Sequence, residues 1–185
     1  MAVTRKRAIG LAALLPLAAC SPPASDDYSA RLRISDETQF ASDPLPSPDS
    51  VGAVWAASPT VPDRILYGKP GERPLMGLTC DAGQIVFARY APADPEAKAI
   101  LALIGNGHVE RLFVDATPRG EAWLWQGSLP AGDQRLEALT GRGRVEATIP
   151  GAGTLVLNAS TAPAQFVNRC ASLTRPVPSS PEDPA

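Results

Sequence analysis

Three cysteines, one histidine and three tryptophans are the side chains of this chain with the most chemistry to offer. A thiol can be acylated, oxidised or bound to metal. Cys80 and Cys170 lie far apart and form no Cys-x-x-Cys pair, so thioredoxin-type redox chemistry has no support. His108, the only histidine, would need a nucleophile and an orienting partner to act as a general base. It stands beside Asn106-Gly107, where an exposed hairpin residue is the simpler reading. A zinc site wants two or three histidine or carboxylate ligands at helical or hairpin spacing, which one histidine does not provide, and no metal site is expected. No Gly-x-Ser-x-Gly elbow and no Ser-x-x-Lys signature occurs. Gly105-Asn106-Gly107 and Gly141-Arg142-Gly143-Arg144 lack the lysine and hydroxyl of a phosphate loop, so no cofactor is implied. Asp115 and Glu121 flank one loop and read as solvated acids. No residue is assigned a catalytic role. Trp123 and Trp125, spaced by two, share one face of a strand, where they would pack a core or form a recognition platform. They are the binding candidates, and Arg89 and Tyr90 invite the same two readings. Asn158-Ala159-Ser160 fits a glycosylation sequon.

The third cysteine follows a segment of a different kind. Arg5, Lys6 and Arg7 precede an apolar run from Ala8 to Ala19 that ends in Leu17-Ala18-Ala19-Cys20. As a helix the run would rise only about 18 Å, too little for a hydrocarbon core of about 30 Å, so it reads as an export signal. Leu17-Ala18-Ala19-Cys20 resembles the lipobox of bacterial lipoprotein precursors. That resemblance implies cleavage before Cys20, a signal peptide of residues 1–19, and a diacylglyceryl group on the Cys20 sulfur with a further acyl chain, such as palmitate, on the new amino group. Two or three acyl chains suffice for stable anchoring. The partner so implied is a membrane, and Ser21 in place of aspartate leans towards the outer membrane, facing the periplasm.

With Cys20 occupied, Cys80 and Cys170 remain as an even pair in an exported chain, and a disulfide between them is expected. Loss of the signal leaves 14 basic against 19 acidic residues, a formal charge of −5. No basic block remains for nucleic acid. Residues 20–50 hold the lipidated cysteine and a Ser-, Pro- and Asp-rich stretch that reads as a tether. A short strand is conceivable at Ala30 to Ser35. Residues 51–173 carry the patterned block, and 174–185 hold four prolines and read as a disordered tail.

The block is mainly β. Arg64 to Tyr67, Leu75 to Cys80 and Gln84 to Tyr90 alternate, with Ile85, Phe87 and Arg89 on one face of the last. Two apolar runs flank Asn106-Gly107, a tight-turn pair. Glu121 to Leu129, Arg144 to Ile149 and Thr154 to Leu157 complete about eight strands. Asp133 would cap a short helix through Leu136 and Leu139, ended by Gly141. Ala162 to Leu173 would form a final helix burying Phe166, Cys170 and Leu173. The expectation is a small β-sandwich or open barrel with one short helix and a C-terminal helix. In layout this is similar to periplasmic lysozyme inhibitors and to some invasion-associated periplasmic proteins, although the Ser-Gly-x-x-Tyr inhibitory loop is absent. The expected role is non-catalytic: a lipid-anchored cell-envelope protein that binds or supports, with an envelope protein as a further expected partner. The alternatives are an inhibitor of an envelope hydrolase, with a protruding loop near Asn106 or Arg142 to Arg144, and an enzyme built on clustered carboxylates.

Overall fold

Alternation of apolar and polar side chains produces a sheet of nine antiparallel strands in the structure, a computed structural model that describes residues 42–173. The strands are β1 (Val54–Ala57), β2 (Arg64–Gly68), β3 (Met76–Asp81), β4 (Gln84–Pro92), β5 (Lys98–Gly105), β6 (His108–Arg119), β7 (Ala122–Pro130), β8 (Val145–Ile149) and β9 (Gly153–Leu157). A 3-10 turn at Gln134–Leu136 leads into helix α1 (Glu137–Thr140), and α2 (Ala162–Ser172) closes the described chain. The expected signal peptide, Cys20, the expected strand at 30–35 and the expected tail at 174–185 lie outside the described residues. No helix among those described is long and apolar enough to cross a membrane.

The strand order is β1-β2-β3-β4-β7-β6-β5-β8-β9. Tight turns set the registers. Ala82 and Gly83 both have positive φ between the paired Asp81 and Gln84, and Asn106 and Gly107 do the same between Gly105 and His108. These are the angles that match the twist of a two-residue hairpin. β4 and β5 are separated in the sheet by β7 and β6, so the short connection at 93–97 must cross about 14 Å of sheet edge at one end of the molecule.

The sheet curls into a nearly closed barrel, and a side chain spans the gap between its two ends. Tyr67, fully buried on β2, donates its hydroxyl proton to the Val156 carbonyl on β9 (3.0 Å) and accepts from the Asn158 amide (2.9 Å). Asn158 commits both side-chain amide protons to the carbonyls of Ser50 and Ala53. The chain ahead of β1 is thereby fixed to the chain after β9.

The inward faces fill the barrel with Leu78, Ile85, Phe87, Leu101, Leu103, Leu112, Leu155 and Leu157. Gly127 on β7 stands where a Cβ would collide with the Phe87 ring and the Phe113 carbonyl, so its missing side chain is what admits the ring. Phe166, Val167 and Cys170 of α2 cover one side of this core. Cys170 is bonded to Cys80 at the end of β3, with the two Cα atoms 5.6 Å apart. A cross-link spanning 90 residues removes denatured-state entropy worth about 4.5 kcal/mol on the chain-entropy model. The expected disulfide is thus present, and the expected mainly β fold with a short and a C-terminal helix is the one found.

Two local features differ from expectation. β1 was not anticipated, because Val54-Trp55-Ala56-Ala57 is an edge strand, largely exposed and without clear alternation. Leu173 is exposed, since the helix ends beneath it rather than carrying it onto the core face. Gly141 ends α1 as expected, and Asn106 packs against it where a Cβ would stand.

Candidate functional site

The end of the barrel crossed by the 93–97 connection is built from short side chains. Ala91 on β4, Ala116 on β6 and Ala152 after β8 are buried there, with Ala93, Ala97 and Ala99 packed against them. Alanines at that many positions leave a cleft of about 370 Å³ between the β4–β5 crossover and the β8–β9 turn. Pro92, Ala93, Ala99, Pro150 and Trp125 supply apolar wall, and Asp94 and Lys98 stand at its edge.

A strap of chain borders this cleft. Residues 42–50, read in the sequence as the end of the tether, have no regular secondary structure but are fastened at several points. Asp94 accepts from the backbone amide of Ser42 (3.0 Å) and from its hydroxyl. The Leu45 amide donates to the Gly151 carbonyl (2.8 Å), and the Thr154 amide donates to the Ser47 hydroxyl. Lys69 pairs with Asp49 at 2.7 Å. These bonds favour the carboxylate forms, and the hydrogen bonds from Ser42 and Lys69 hold Asp94 and Asp49 below the usual carboxylate range. Leu45, Ser42 and Asp43 join the cleft wall.

Two large polar-tipped residues lie beneath the alanines. Arg89 and Trp125 are directly paired across β4 and β7, both pointing inward, with 4% and 7% of their surfaces exposed. The ladder breaks just beyond them: a bulge between Arg89 and Pro92 shifts the register so that Pro92 faces Leu124. Such bulges re-aim side chains at the rims of barrels. One Arg89 terminal nitrogen donates to the Leu75 carbonyl at 2.8 Å. Its Nε and the indole Nε1 of Trp125 are buried with no protein acceptor. Burial without a neighbouring carboxylate pushes the Arg89 guanidinium down to about 10, which still leaves it charged at neutral pH. A buried cation and two unserved N–H groups at paired positions are costly, since a buried donor without an acceptor forfeits about 1–3 kcal/mol.

No family model, curated protein or solved structure matches this chain.

The sequence candidates distribute as follows. Trp125 belongs to the core and to the cleft wall at once, while Trp123, two positions earlier, is half-buried near the start of the strand. Tyr90 faces the opposite side of β4 from Arg89, over Gly77, in a shallow outer hollow of about 210 Å³ shared with Arg64, Thr79, Arg119 and Gln126. His108 lies 3.5 Å from Glu137 at the exposed hairpin. Asp115 is exposed beside Lys98 at 3.5 Å, and Glu121 is exposed in the β6–β7 turn. Among the described residues no three histidine, cysteine or acidic side chains gather as a metal site would require. Asn106 does not project: its side chain donates to the Ala138 carbonyl and accepts from the Gly143 amide, tying the hairpin down to the 141–143 loop. The sequon asparagine, Asn158, is already engaged in closing the barrel.

What sequence reasoning missed is the pairing of Arg89 with Trp125 and the wall given by the strap. An inward-phased arginine between Phe87 and Ala91 was the available signal.

Proposed function

We propose that this chain is a lipid-anchored protein of the cell envelope whose barrel holds a small ligand in the cleft at its mouth without transforming it. The cleft bordered by the strap, walled by alanine, proline and Trp125, whose buried indole N–H has no protein acceptor, is the observation that carries the binding part of this reading. Ligand sites are concave, mainly apolar and furnished with a few polar groups, and the mouth of a β-barrel is a common place for them. Among the described residues no triad of acid, base and nucleophile converges on the cleft: Asp94 is committed to Ser42, and Lys98 reaches towards Asp115.

The location rests on the lipobox at Leu17 to Cys20 and is supported by the Cys80–Cys170 bond, which persists in oxidising compartments. The strap suits a tethered domain, because tension from the anchor would be borne by hydrogen bonds at residues 42–50 rather than by the sheet. Expression of the parent chain and of Cys20→Ala in a bacterium, followed by fractionation and mass spectrometry, tests the anchor. The parent is expected in the membrane fraction with an N-terminal mass raised by acyl chains, and the variant is expected without them. Parent protein with an intact leader and no lipid would overturn the location.

A further inference from the structure

The ligand reading above leaves open what the cleft selects, and Arg89 bears on that. It is the one buried charged side chain among the described residues, and no acidic side chain approaches it. Its partner across the ladder, Trp125, carries the other buried donor without an acceptor and also forms cleft wall. An apolar barrel that retained a cation merely to fill space would do better with methionine or leucine.

We propose that the cleft binds a small amphipathic monoanion, a carboxylate on an apolar body, with the carboxylate taken by Arg89 and the Trp125 indole N–H. This inference rests on the cleft being a ligand site. Trp125 itself lines the cleft and Arg89 is its direct partner across the ladder, with both donor atoms buried, so in the proposed complex the head group reaches Arg89 by way of the Trp125 ring. The apolar body remains against Pro92, Ala93 and Leu45. A carboxylate suits the donors in number and charge: one oxygen accepts from the guanidinium Nε and the other from the indole, and bonds of this charge-assisted kind are about twice as strong as neutral ones. Lys98 at the rim adds a second positive charge on the approach, while Asp94 turns its oxygens to Ser42.

The test is a titration of the purified full chain, its tryptophan indoles isotope-labelled for nuclear magnetic resonance, with hexanoate, hexan-1-ol and acetate. The Trp125 indole resonance is assigned by its loss in Trp125→Phe. Hexanoate is expected to move that resonance and to bind at least about tenfold more tightly than hexan-1-ol, with acetate weaker than hexanoate. Arg89→Met is expected to reduce hexanoate to the level of the alcohol. Should that variant fail to fold, Trp125→Phe, which removes the N–H and keeps a ring, is expected to weaken hexanoate severalfold and leave the alcohol unchanged. Equal binding of hexanoate and hexan-1-ol would overturn the anion assignment and leave the cleft a ligand site. No movement of the Trp125 indole with any probe would overturn both, with solvent then serving the buried donors.

Discussion

At the scale of single residues, the barrel depends on what is missing at Gly127. The Phe87 ring and the Phe113 carbonyl both occupy the space a Cβ would need. Neither can yield cheaply, because the ring is packed in the core and the carbonyl belongs to the ladder. Gly127→Ala is therefore expected to cost about 1–3 kcal/mol, the usual penalty for overpacking. Urea unfolding should also show the cost shrinking in a Phe87→Leu background, since the two positions are paired and their effects will not add. Equal costs in both backgrounds would place the clash elsewhere. Gly127 was not legible in the sequence as a packing position. A lone glycine in a strand signals a bulge or a close approach without naming the neighbour, and Phe87 lies forty positions away in the chain.

At the scale of elements, the seam between β2 and β9 deserves a pH experiment. Tyr67 is buried, and burial raises its pKa above the ordinary value of 10.0, outweighing the hydrogen bond from Asn158. The folded state thus holds the phenolic proton more tightly than the unfolded chain. The associated stability is whole below about pH 10 and falls as pH rises from there through the folded-state value. Ionisation also removes the proton donated to Val156 and sets an anion against that carbonyl. Tyr67→Phe is expected to lower stability by about 1–3 kcal/mol at neutral pH, because the Val156 carbonyl and Asn158 amide lose their partner. The variant should lack the alkaline step attributable to this residue, as chemical unfolding between pH 8 and 11 would reveal; an unchanged alkaline profile would contradict the assignment. Elements of this kind divide by how local their signals are. β2 to β9 were legible because alternation and turn pairs such as Asn106-Gly107 lie within a few residues. The closure was not, because it joins Tyr67 to Asn158 across 91 positions. The strap at 42–50 was illegible for another reason: proline and serine suggest a tether by composition, whereas its attachment uses backbone amides that composition does not report.

At the scale of the whole molecule, one end of the barrel is filled with large aliphatic side chains and the other with alanines around a buried cation. The sequence shows each alanine and places Arg89 on the inward face of β4, but the strand order that sets Arg89 beside Trp125 follows from a crossover no local pattern encodes. This asymmetry has a thermodynamic consequence. If Arg89 serves a ligand, it burdens the empty protein, since its charge is desolvated without a counter-charge and its Nε is unserved. Replacing it with methionine keeps an unbranched, flexible side chain, shorter by two atoms, and discards both costs. Among the described residues the one hydrogen bond lost goes to the Leu75 carbonyl, which still accepts from the Tyr90 amide at 3.0 Å and so is not orphaned. Arg89→Met is accordingly expected to unfold at the same urea midpoint as the parent or a higher one. A buried cation that instead knits the core together would behave oppositely, its removal lowering the midpoint by several kcal/mol in free-energy terms, about 3–5 being usual when a buried pair is broken. A strongly destabilised Arg89→Met would thus identify the arginine as part of the scaffold, whereas a stable variant is what a barrel that sacrifices stability for recognition must give.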